Sequence, residues 1–163
     1  MIAAVPGSFD PFTLGHLDVV RRAQRLFGAV VVAVGRNAAK DGLLSLDERV
    51  ALARASCAGL EGVTVEPLPG LLVDFCRAHG VAVVVKGARG GGDFEFELAM
   101  AQMNASLAGV ETVVLPAAPA LGFVSSTLVR QIARGGADVK EYIPTAVFDY
   151  LRRTGHASAG EPN

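Results

Sequence analysis

The chain has 163 residues, which suits a single domain with its own core. A net charge of −1 gives no electrostatic reason to expect nucleic acid or an anionic membrane as a partner. Hydrophobic residues make up 51% of the chain, yet no apolar run approaches the roughly 18 residues of a membrane span, and the N-terminus lacks a signal-peptide pattern. We therefore expect a cytoplasmic protein that binds neither nucleic acid nor membrane.

Short apolar runs rich in β-branched residues alternate with helical patterns along the chain. The predicted strands are residues 2–5, 30–34, 63–66, 81–85 and 112–115. The predicted helices are residues 15–27, 46–60, 71–79, 93–107, 125–133 and 144–153. Most of the strands lack an in–out alternation, as is typical of parallel strands buried on both faces. The pattern predicts an α/β fold: a Rossmann-like, doubly wound, five-stranded parallel sheet with C-terminal helices.

The same patterns predict how the chain is organised. We expect one domain over residues 1–154 and a disordered tail over residues 155–163, which are mostly small and polar. Cys57 and Cys76 lack C-x-x-C spacing, so we expect reduced, buried thiols rather than a metal site or a disulfide. The helix over residues 93–107 is apolar on two faces, which is typical of a deeply buried helix or of a subunit interface. In a chain of this length we favour the interface.

The unusual residues of the sequence follow the predicted strands. Open parallel sheets bind ligands at the carboxyl ends of their strands. Glycine clusters, isolated basic residues and paired serines occupy the segments after the five strands, at residues 6–16, 35–40, 67–72, 86–92 and 116–126. These segments share one edge of the sheet, and we expect the ligand site there.

The chemistry of this edge is suited to anions. Two predicted helices begin there, near residues 14–16 and 125–127, and helix N-termini attract negative charge. Lys40, Lys86 and Arg89 add cations. The combination predicts a polyphosphate site. The spacing is neither that of a P-loop nor the G-x-G-x-x-G of a dinucleotide site.

His16 stands at the start of the first helix. If Thr13 is the N-cap, His16 is the third helical residue, where a capping box places Glu or Gln, so a histidine here is expected to forgo a good cap. Taken alone, a surface or capping histidine is as good an interpretation as a functional one. The loop around it, shaped by Gly7, Pro11 and Gly15, favours the functional interpretation.

The other candidates also have a plain structural interpretation. Lys40 could be a solvated loop lysine, and Arg89 could lie in a flexible glycine-rich turn. The serines and threonine at residues 125–127 could simply cap a helix. The acidic residues at 93, 95 and 97 could complement a helix dipole, or could contact a purine ribose or a metal-bound water.

Four sequence blocks carry a family resemblance. T-L-G-H at residues 13–16 and V-S-S-T-L-V-R at residues 124–130 resemble the two motifs of the nucleotidyltransferase superfamily. With L-D-E-R-V-A-L-A and V-K-G-A-R-G-G-G-D-F-E-F-E-L-A-M-A-Q-M-N between them, the chain resembles bacterial phosphopantetheine adenylyltransferases from about residue 2 to residue 153.

The resemblance implies an activity and an assembly. Members of this family transfer AMP from ATP to 4′-phosphopantetheine, giving dephospho-CoA and pyrophosphate in coenzyme A biosynthesis. The resemblance also implies Mg²⁺ as cofactor and a homohexamer built as a dimer of trimers. The acceptor phosphate is already ionised, so the reaction needs positioning and charge stabilisation rather than a general base.

The resemblance also assigns roles to individual residues. It implies substrate contacts for Ser8, Lys40, Leu72 and Lys86. It implies that ATP contacts Ser8, Phe9, His16, Gly87, Ala88, Arg89, Glu97 and the run Leu121, Gly122, Phe123, Val124, Ser125, Ser126 and Thr127. His16, Lys40, Ser126 and Thr127 are then the expected catalytic residues, and no protein ligand to the metal is predicted.

Some positions depart from the common family pattern. Ala88 stands where Leu is usual, Leu121 and Gly122 replace a frequent aromatic–Ser pair, and Gly91 and Gly92 make the loop over residues 87–92 looser than usual. These departures concern adenine packing. Two alternatives remain at this stage: a related cytidylyltransferase or nicotinate-type adenylyltransferase, and a nucleotide sensor without catalysis.

Overall fold

The computed structural model describes residues 1–35 and 42–157 of the chain. Five parallel strands form one sheet in the order β3-β2-β1-β4-β5. The strands are β1 (Ile2–Gly7), β2 (Ala29–Gly35), β3 (Val63–Leu68), β4 (Val81–Ala88) and β5 (Glu111–Pro116). Because the chain winds outward from β1 in one direction and restarts at β4 on its other side, the fold is the predicted doubly wound sheet.

Six α-helices cover the two faces of this sheet. They are α1 (Leu14–Phe27), α2 (Leu46–Cys57), α3 (Leu72–Ala78), α4 (Gly91–Ala108), α5 (Ser126–Arg134) and α6 (Thr145–Arg153). Two 3₁₀ turns that the sequence did not predict lie at Pro119–Leu121 and Lys140–Tyr142. Within the described residues, no helix combines the length and the apolar character that crossing a bilayer requires.

Alternate residues of each central strand supply two separate cores. In β2, Val30, Val32 and Val34 face the larger core, which α1, α2, α5 and α6 complete. Val31 and Ala33 of the same strand face the smaller core, which is closed mainly by α3. Burial on both faces explains the near-continuous Val and Ala runs that predicted parallel strands.

Several predicted helix ends are confirmed in detail. Thr13 is the N-cap of α1 and Ser45 that of α2, where Glu48 completes a capping box. Glu48 also accepts a hydrogen bond from the Tyr150 hydroxyl, which ties α6 to α2 and, with the Ser45 contacts, lowers the pKa of Glu48 to about 2. Pro144 is the N-cap of α6 rather than part of its first turn.

The predicted tail begins too early. The backbone N–H groups of His156 and Ala157 both donate to the Leu151 carbonyl, and Ala157 is 7% exposed within the larger core. The prediction of a disordered segment from residue 155 is therefore wrong for residues 155–157, because this short return packs the chain onto α6. Residues 158–163 lie outside the described residues.

Both cysteines are confirmed as free and buried. Burial raises the pKa of the Cys57 thiol to about 11 and also raises the pKa of Cys76. Such thiols stay protonated and unreactive at neutral pH.

Candidate active site

A cleft of about 600 Å³ opens at the carboxyl ends of β1 and β4, where the strand order reverses. Most of the predicted site residues line it: Ser8, Phe9, His16, Leu72, Lys86, Gly87, Arg89, Glu97, Leu121, Val124, Ser125, Ser126 and Thr127. The predicted residues Ala88, Gly122 and Phe123 are not part of this lining. Lys40 lies outside the described residues. The edge predicted from the sequence is thus the edge that carries the cleft.

Phe123 is not among the residues that line the cleft. Its side chain is 61% exposed, and its ring meets Tyr142 edge-on with centroids 5.9 Å apart. This contact directs Phe123 toward the Lys140–Tyr142 turn. In the described chain, the apolar cover on this side of the cleft comes from Leu121 and Val124.

The loop between β1 and α1 is shaped by aromatic packing. Phe9 has a left-handed backbone with φ of 49° and a side chain only 2% exposed. Its ring packs edge-on against His16 with centroids 4.9 Å apart and lies 5.1 Å from Phe12. A Cβ atom at Gly7 would stand 2.9 Å from the Phe9 ring, so glycine at this position is needed for the packing. A non-glycine residue in this conformation is costly and must be held by its surroundings.

His16 completes a capping box that normally uses Glu or Gln. Its backbone N–H donates to the Thr13 hydroxyl (3.3 Å), and its Nδ1 accepts the Thr13 backbone N–H at 3.0 Å. The expectation that a histidine forgoes a good cap is therefore wrong, because the imidazole replaces the carboxylate as acceptor. Since Nδ1 is an acceptor, the proton of the neutral ring is on Nε2, which leaves one N–H donor for the cleft that His16 lines.

The surroundings of His16 keep its ring neutral. Burial, and then the positive charges of Arg89 and Lys86, lower the pKa of His16 from 6.5 to about 4. Protonation of Nδ1 would also break its hydrogen bond with the Thr13 backbone. At neutral pH the ring is thus a fixed hydrogen-bond donor rather than a cation or a proton shuttle.

We expect the ring resonances of His16 to stay constant between pH 8 and pH 5. Because its folded-state pKa lies below 6.5, the unfolded chain takes up this proton first, and stability is lost as pH falls from about 6.5 toward 4. Proton–carbon NMR of the three histidines measures this, with His16 assigned from a His16→Asn variant. A His16 titration centred near pH 6.5 would contradict the enclosed, neutral ring.

Two cations of the cleft are held by carboxylates of α4. Lys86 Nζ lies 3.1 Å from Glu97 Oε1, and both side chains are largely buried. Arg89 forms a forked pair with Asp93, with Nε–Oδ2 of 2.8 Å and Nη2–Oδ1 of 3.1 Å. The Arg89 hydrogen bonds lower the pKa of Asp93. The i,i+4 spacing of the two acids puts them on one face of the helix, where they orient the cations rather than serving only the helix dipole.

The start of α5 is fastened to the first loop. The Ser125 hydroxyl accepts the Leu128 N–H at 3.1 Å and caps the helix, as predicted. The Ser126 hydroxyl donates to the Pro11 carbonyl at 2.8 Å, and Arg130 donates to the Asp10 carbonyl. The Ser126 hydroxyl therefore fixes the start of α5 to the loop that contains Pro11. The first backbone N–H groups of α5 lack intrahelical acceptors, as is typical of helix N-termini that bind anions.

Residues that were not assigned from the sequence hold these loops. The Asp10 carboxylate is 6% exposed as a residue and accepts the backbone N–H groups of Leu43 and Leu44, at 2.8 and 3.0 Å. Arg22 donates to the Pro116 carbonyl at 2.7 Å, at the end of β5. Arg49 also holds this loop, through the Ser8 and Gly35 carbonyls. The only sequence signal for such a residue is a charge among apolar neighbours, as in R-V-A-L-A-R-A at residues 49–55. The backbone carbonyls that Arg49 contacts cannot be identified from the sequence, because every residue carries one.

The cleft therefore gathers hydrogen-bond donors and cations around one space that also has apolar walls. No group of three or more His, Cys, Asp or Glu side chains able to hold a metal ion occurs in residues 1–35 and 42–157. The arrangement suits binding and polarisation of phosphate groups, with Leu68 and Leu72 as an apolar wall for a less polar ligand arm.

Several known proteins are similar to this chain in sequence or in fold. The family described as cytidylyltransferase-like matches residues 4–132. The phosphopantetheine adenylyltransferase of Nocardioides sp. is 51% identical over 92% of this chain and 94% of that protein. That of Pseudarthrobacter chlorophenolicus is 49% identical over 99% of this chain and 94% of that protein. Among solved structures, a lipopolysaccharide core biosynthesis protein from Thermoplasma volcanium has the same fold, with a TM-score of 0.53 and 17% identity over 72% of this chain and 96% of that one. The chain therefore belongs to the phosphopantetheine adenylyltransferase family.

Proposed function

We propose that this chain transfers the adenylyl group of ATP to 4′-phosphopantetheine, giving dephospho-CoA and pyrophosphate. The observation that carries the proposal is the identity of about half to phosphopantetheine adenylyltransferases over nearly the whole chain. The cleft supports it with a neutral histidine donor, two oriented cations and a helix N-terminus around one space.

The proposed chemistry is one in-line displacement. An ionised oxygen of the acceptor phosphate forms a bond to the α-phosphorus of ATP. The bond from that phosphorus to the bridging oxygen of pyrophosphate breaks, and pyrophosphate leaves with the electron pair. No proton is transferred, so no general base is required. Catalysis then depends on position and charge.

The described residues divide this work between them. His16 Nε2–H would donate to a phosphate oxygen as charge shifts during transfer, and the N-terminal amides of α5 at Ser126 and Thr127 would support the same phosphates. Lys86 and Arg89 would bind phosphate in exchange for part of their pairing with Glu97 and Asp93. Ser8, which lines the cleft, would contact both substrates, and Leu72 would line the pantetheine arm.

Magnesium is proposed as a companion of ATP rather than a resident of a protein cage. The cleft carboxylates Asp18, Asp93 and Glu97 are each paired with a cation, and within the described residues no three potential metal ligands gather at one point. This suits Mg²⁺, which is commonly held by phosphate oxygens and water with few protein ligands. When bound, the ion would offset phosphate charge.

The test of the function is direct. The purified chain is incubated with ATP, Mg²⁺ and 4′-phosphopantetheine, and dephospho-CoA is measured by mass spectrometry together with pyrophosphate release. Parallel reactions with CTP, and with nicotinate mononucleotide as acceptor, separate the related transferases. Absence of dephospho-CoA would overturn the proposal, and ATP binding without turnover of any acceptor would indicate a nucleotide sensor.

Lys40 is proposed to hold the attacking phosphate. We expect Lys40→Ala to lower kcat about tenfold or more, because a hydrogen bond to a charged group contributes about 1.5–3 kcal/mol. KM for phosphopantetheine should rise, and ATP binding measured by calorimetry should change little. Arg25→Ala, an exposed cation on α1 outside the cleft, is the control. Wild-type turnover in Lys40→Ala would make Lys40 a solvated loop lysine.

We also propose a homohexamer, a dimer of trimers, in the cytoplasm. Only Asn104 of α4 is buried in the single chain, while the large apolar residues of the helix are exposed: Phe94, Phe96, Leu98, Met100, Met103 and Leu107. Burial within the single chain therefore does not explain the two apolar faces of α4. Contact with further copies of the chain would cover them. Free, buried thiols suit a reducing compartment.

A further inference from the structure

Arg49 joins the ends of two strands beneath the cleft. The residue lies in α2 and is 7% exposed. Its Nη1 donates to the Ser8 carbonyl at 2.7 Å and to the Gly35 carbonyl at 2.9 Å, and its Nε donates to the Ser45 carbonyl at 3.4 Å. A planar guanidinium can serve several carbonyl groups at once, which an ammonium on a flexible stem does less well.

The two bridged carbonyls lie where the sheet opens. The last residue pair of the β1–β2 ladder is Gly7 with Val34, so Ser8 and Gly35 come immediately after it. Beyond that pair the two strands no longer satisfy each other's backbone groups, and buried carbonyls need another donor. Arg49 supplies it, while Ser8 and Gly35 themselves line the cleft.

The position of Arg49 sets the direction of the next backbone N–H. In a planar trans peptide the C=O and N–H bonds point in opposite directions. Arg49 holds the carbonyl side of the Ser8–Phe9 peptide, and Arg49 is not part of the cleft lining. The Phe9 N–H is therefore directed away from Arg49, and Phe9 itself lines the cleft. Among the described residues, no acceptor receives this N–H.

We propose that Arg49 is a positioning residue that presents the Phe9 N–H to a phosphate of the ligand. This inference rests on the proposed function, because it assigns that N–H to the phosphate site of the same reaction. Arg49 acts through the backbone and touches no substrate. It also stabilises the left-handed turn at Phe9, whose φ of 49° needs such support.

The test uses the backbone amide signals of the eight phenylalanines in the whole protein, with inorganic pyrophosphate as the probe. In the wild type, the Phe9 amide should move downfield on titration with pyrophosphate. In Arg49→Lys this shift should be lost or reduced at least twofold at saturating pyrophosphate. kcat for adenylyl transfer should fall about tenfold, a smaller loss than removal of a catalytic donor, with a smaller change in KM for ATP.

Arg54→Lys is the matched control. Arg54 lies on the same helix and donates to the Val65 carbonyl through Nε (3.1 Å) and Nη2 (2.9 Å), away from the cleft. It should keep the Phe9 shift and the wild-type kcat. A merely structural role for Arg49 would lower Tm in Arg49→Lys and leave the Phe9 shift unchanged, and that result would overturn the proposal.

A second variant and a wild-type measurement test the proposal even if Arg49→Lys does not fold. Arg49→Gln is the second variant, because its uncharged side chain ends two bonds short of the Nη1 atom that serves both carbonyls. Should both Arg49 variants fail to fold, an unmoved Phe9 amide in the wild type overturns the proposal and a moved one supports it. Pyrophosphate binding needs no turnover, so this result is independent of whether dephospho-CoA is formed.

Discussion

His16→Glu should fold like the wild type and lose nearly all turnover, with kcat at least ~10²-fold lower, the scale for one transition-state donor. Glutamate at this position restores the usual form of the capping box, in which its carboxylate accepts the Thr13 backbone N–H. The acid is also favourable at a helix N-terminus. The fold is therefore kept, while an N–H donor is exchanged for a negative charge facing the phosphates.

His16→Ala is the complementary variant, because it removes the cap as well as the donor. We therefore expect a loss of about 1 kcal/mol in unfolding free energy and a kcat again about 10²-fold lower. Thermal unfolding, ATP calorimetry and steady-state kinetics are measured on both variants. The donor role is refuted if His16→Glu retains kcat within about threefold of the wild type. An equal loss in ATP affinity with unchanged kcat would reduce His16 to a binding residue.

The sequence could not decide between the two roles of His16 that these variants test. From the sequence, His16 was either a cap or a functional group, and those interpretations excluded each other. The structure gives Nδ1 to the cap and leaves Nε2 for the cleft. A one-letter sequence does not distinguish the two nitrogens of an imidazole, so the compatibility of both roles depends on the ring orientation.

The fold itself was largely predictable, because buried parallel strands and capped helices leave strong local patterns. The errors lie where tertiary partners override local signals. Residues 6–7 and 86–88 look like loop in the sequence, yet they extend β1 and β4 because neighbouring strands pair with them. Ala157 belongs to a polar, glycine-containing segment and is nevertheless buried against α6.

The site was predictable to a different degree. The rule that ligands bind at strand ends located the cleft, and the charged residues that line it were singled out except for Asp18. The residues that hold its backbone were not found, because Arg49, Arg130 and Asp10 contact main-chain groups up to 120 residues away. A backbone carbonyl carries no side-chain identity, so such partners leave no pattern in one sequence.

Charges on the two exposed faces of α4 should break the proposed hexamer one interface at a time. Leu98→Glu alters the face shared with Phe94, and Met103→Glu alters the face shared with Met100. A dimer of trimers needs two kinds of contact, one within the trimer and one between trimers. Each single variant should therefore stop at a smaller assembly, and the double variant should be a monomer of 16.8 kDa.

The expected masses make the outcome clear in sedimentation. The wild type should run at about 100 kDa, six times the 16.8 kDa chain. Leu26→Glu on α1 is the control: Leu26 is 61% exposed, more than Leu98 at 45%, but lies on a different element. If exposure alone governed the effect, this control would dissociate the protein too. A wild-type monomer, or a double variant of unchanged mass, would contradict assembly through α4.

The size of the expected effect follows from the apolar surface of α4. Burying a large apolar side chain contributes about 1.5–3 kcal/mol, and α4 exposes six of them in the single chain. A glutamate in such an interface loses that contribution and adds the cost of burying a charge, which is several kcal/mol when unpaired. Because Asp93 and Glu97 of the same helix orient Arg89 and Lys86 in the cleft, dissociation should also lower turnover. An assembly-deficient variant with wild-type kcat would separate the interface from the site.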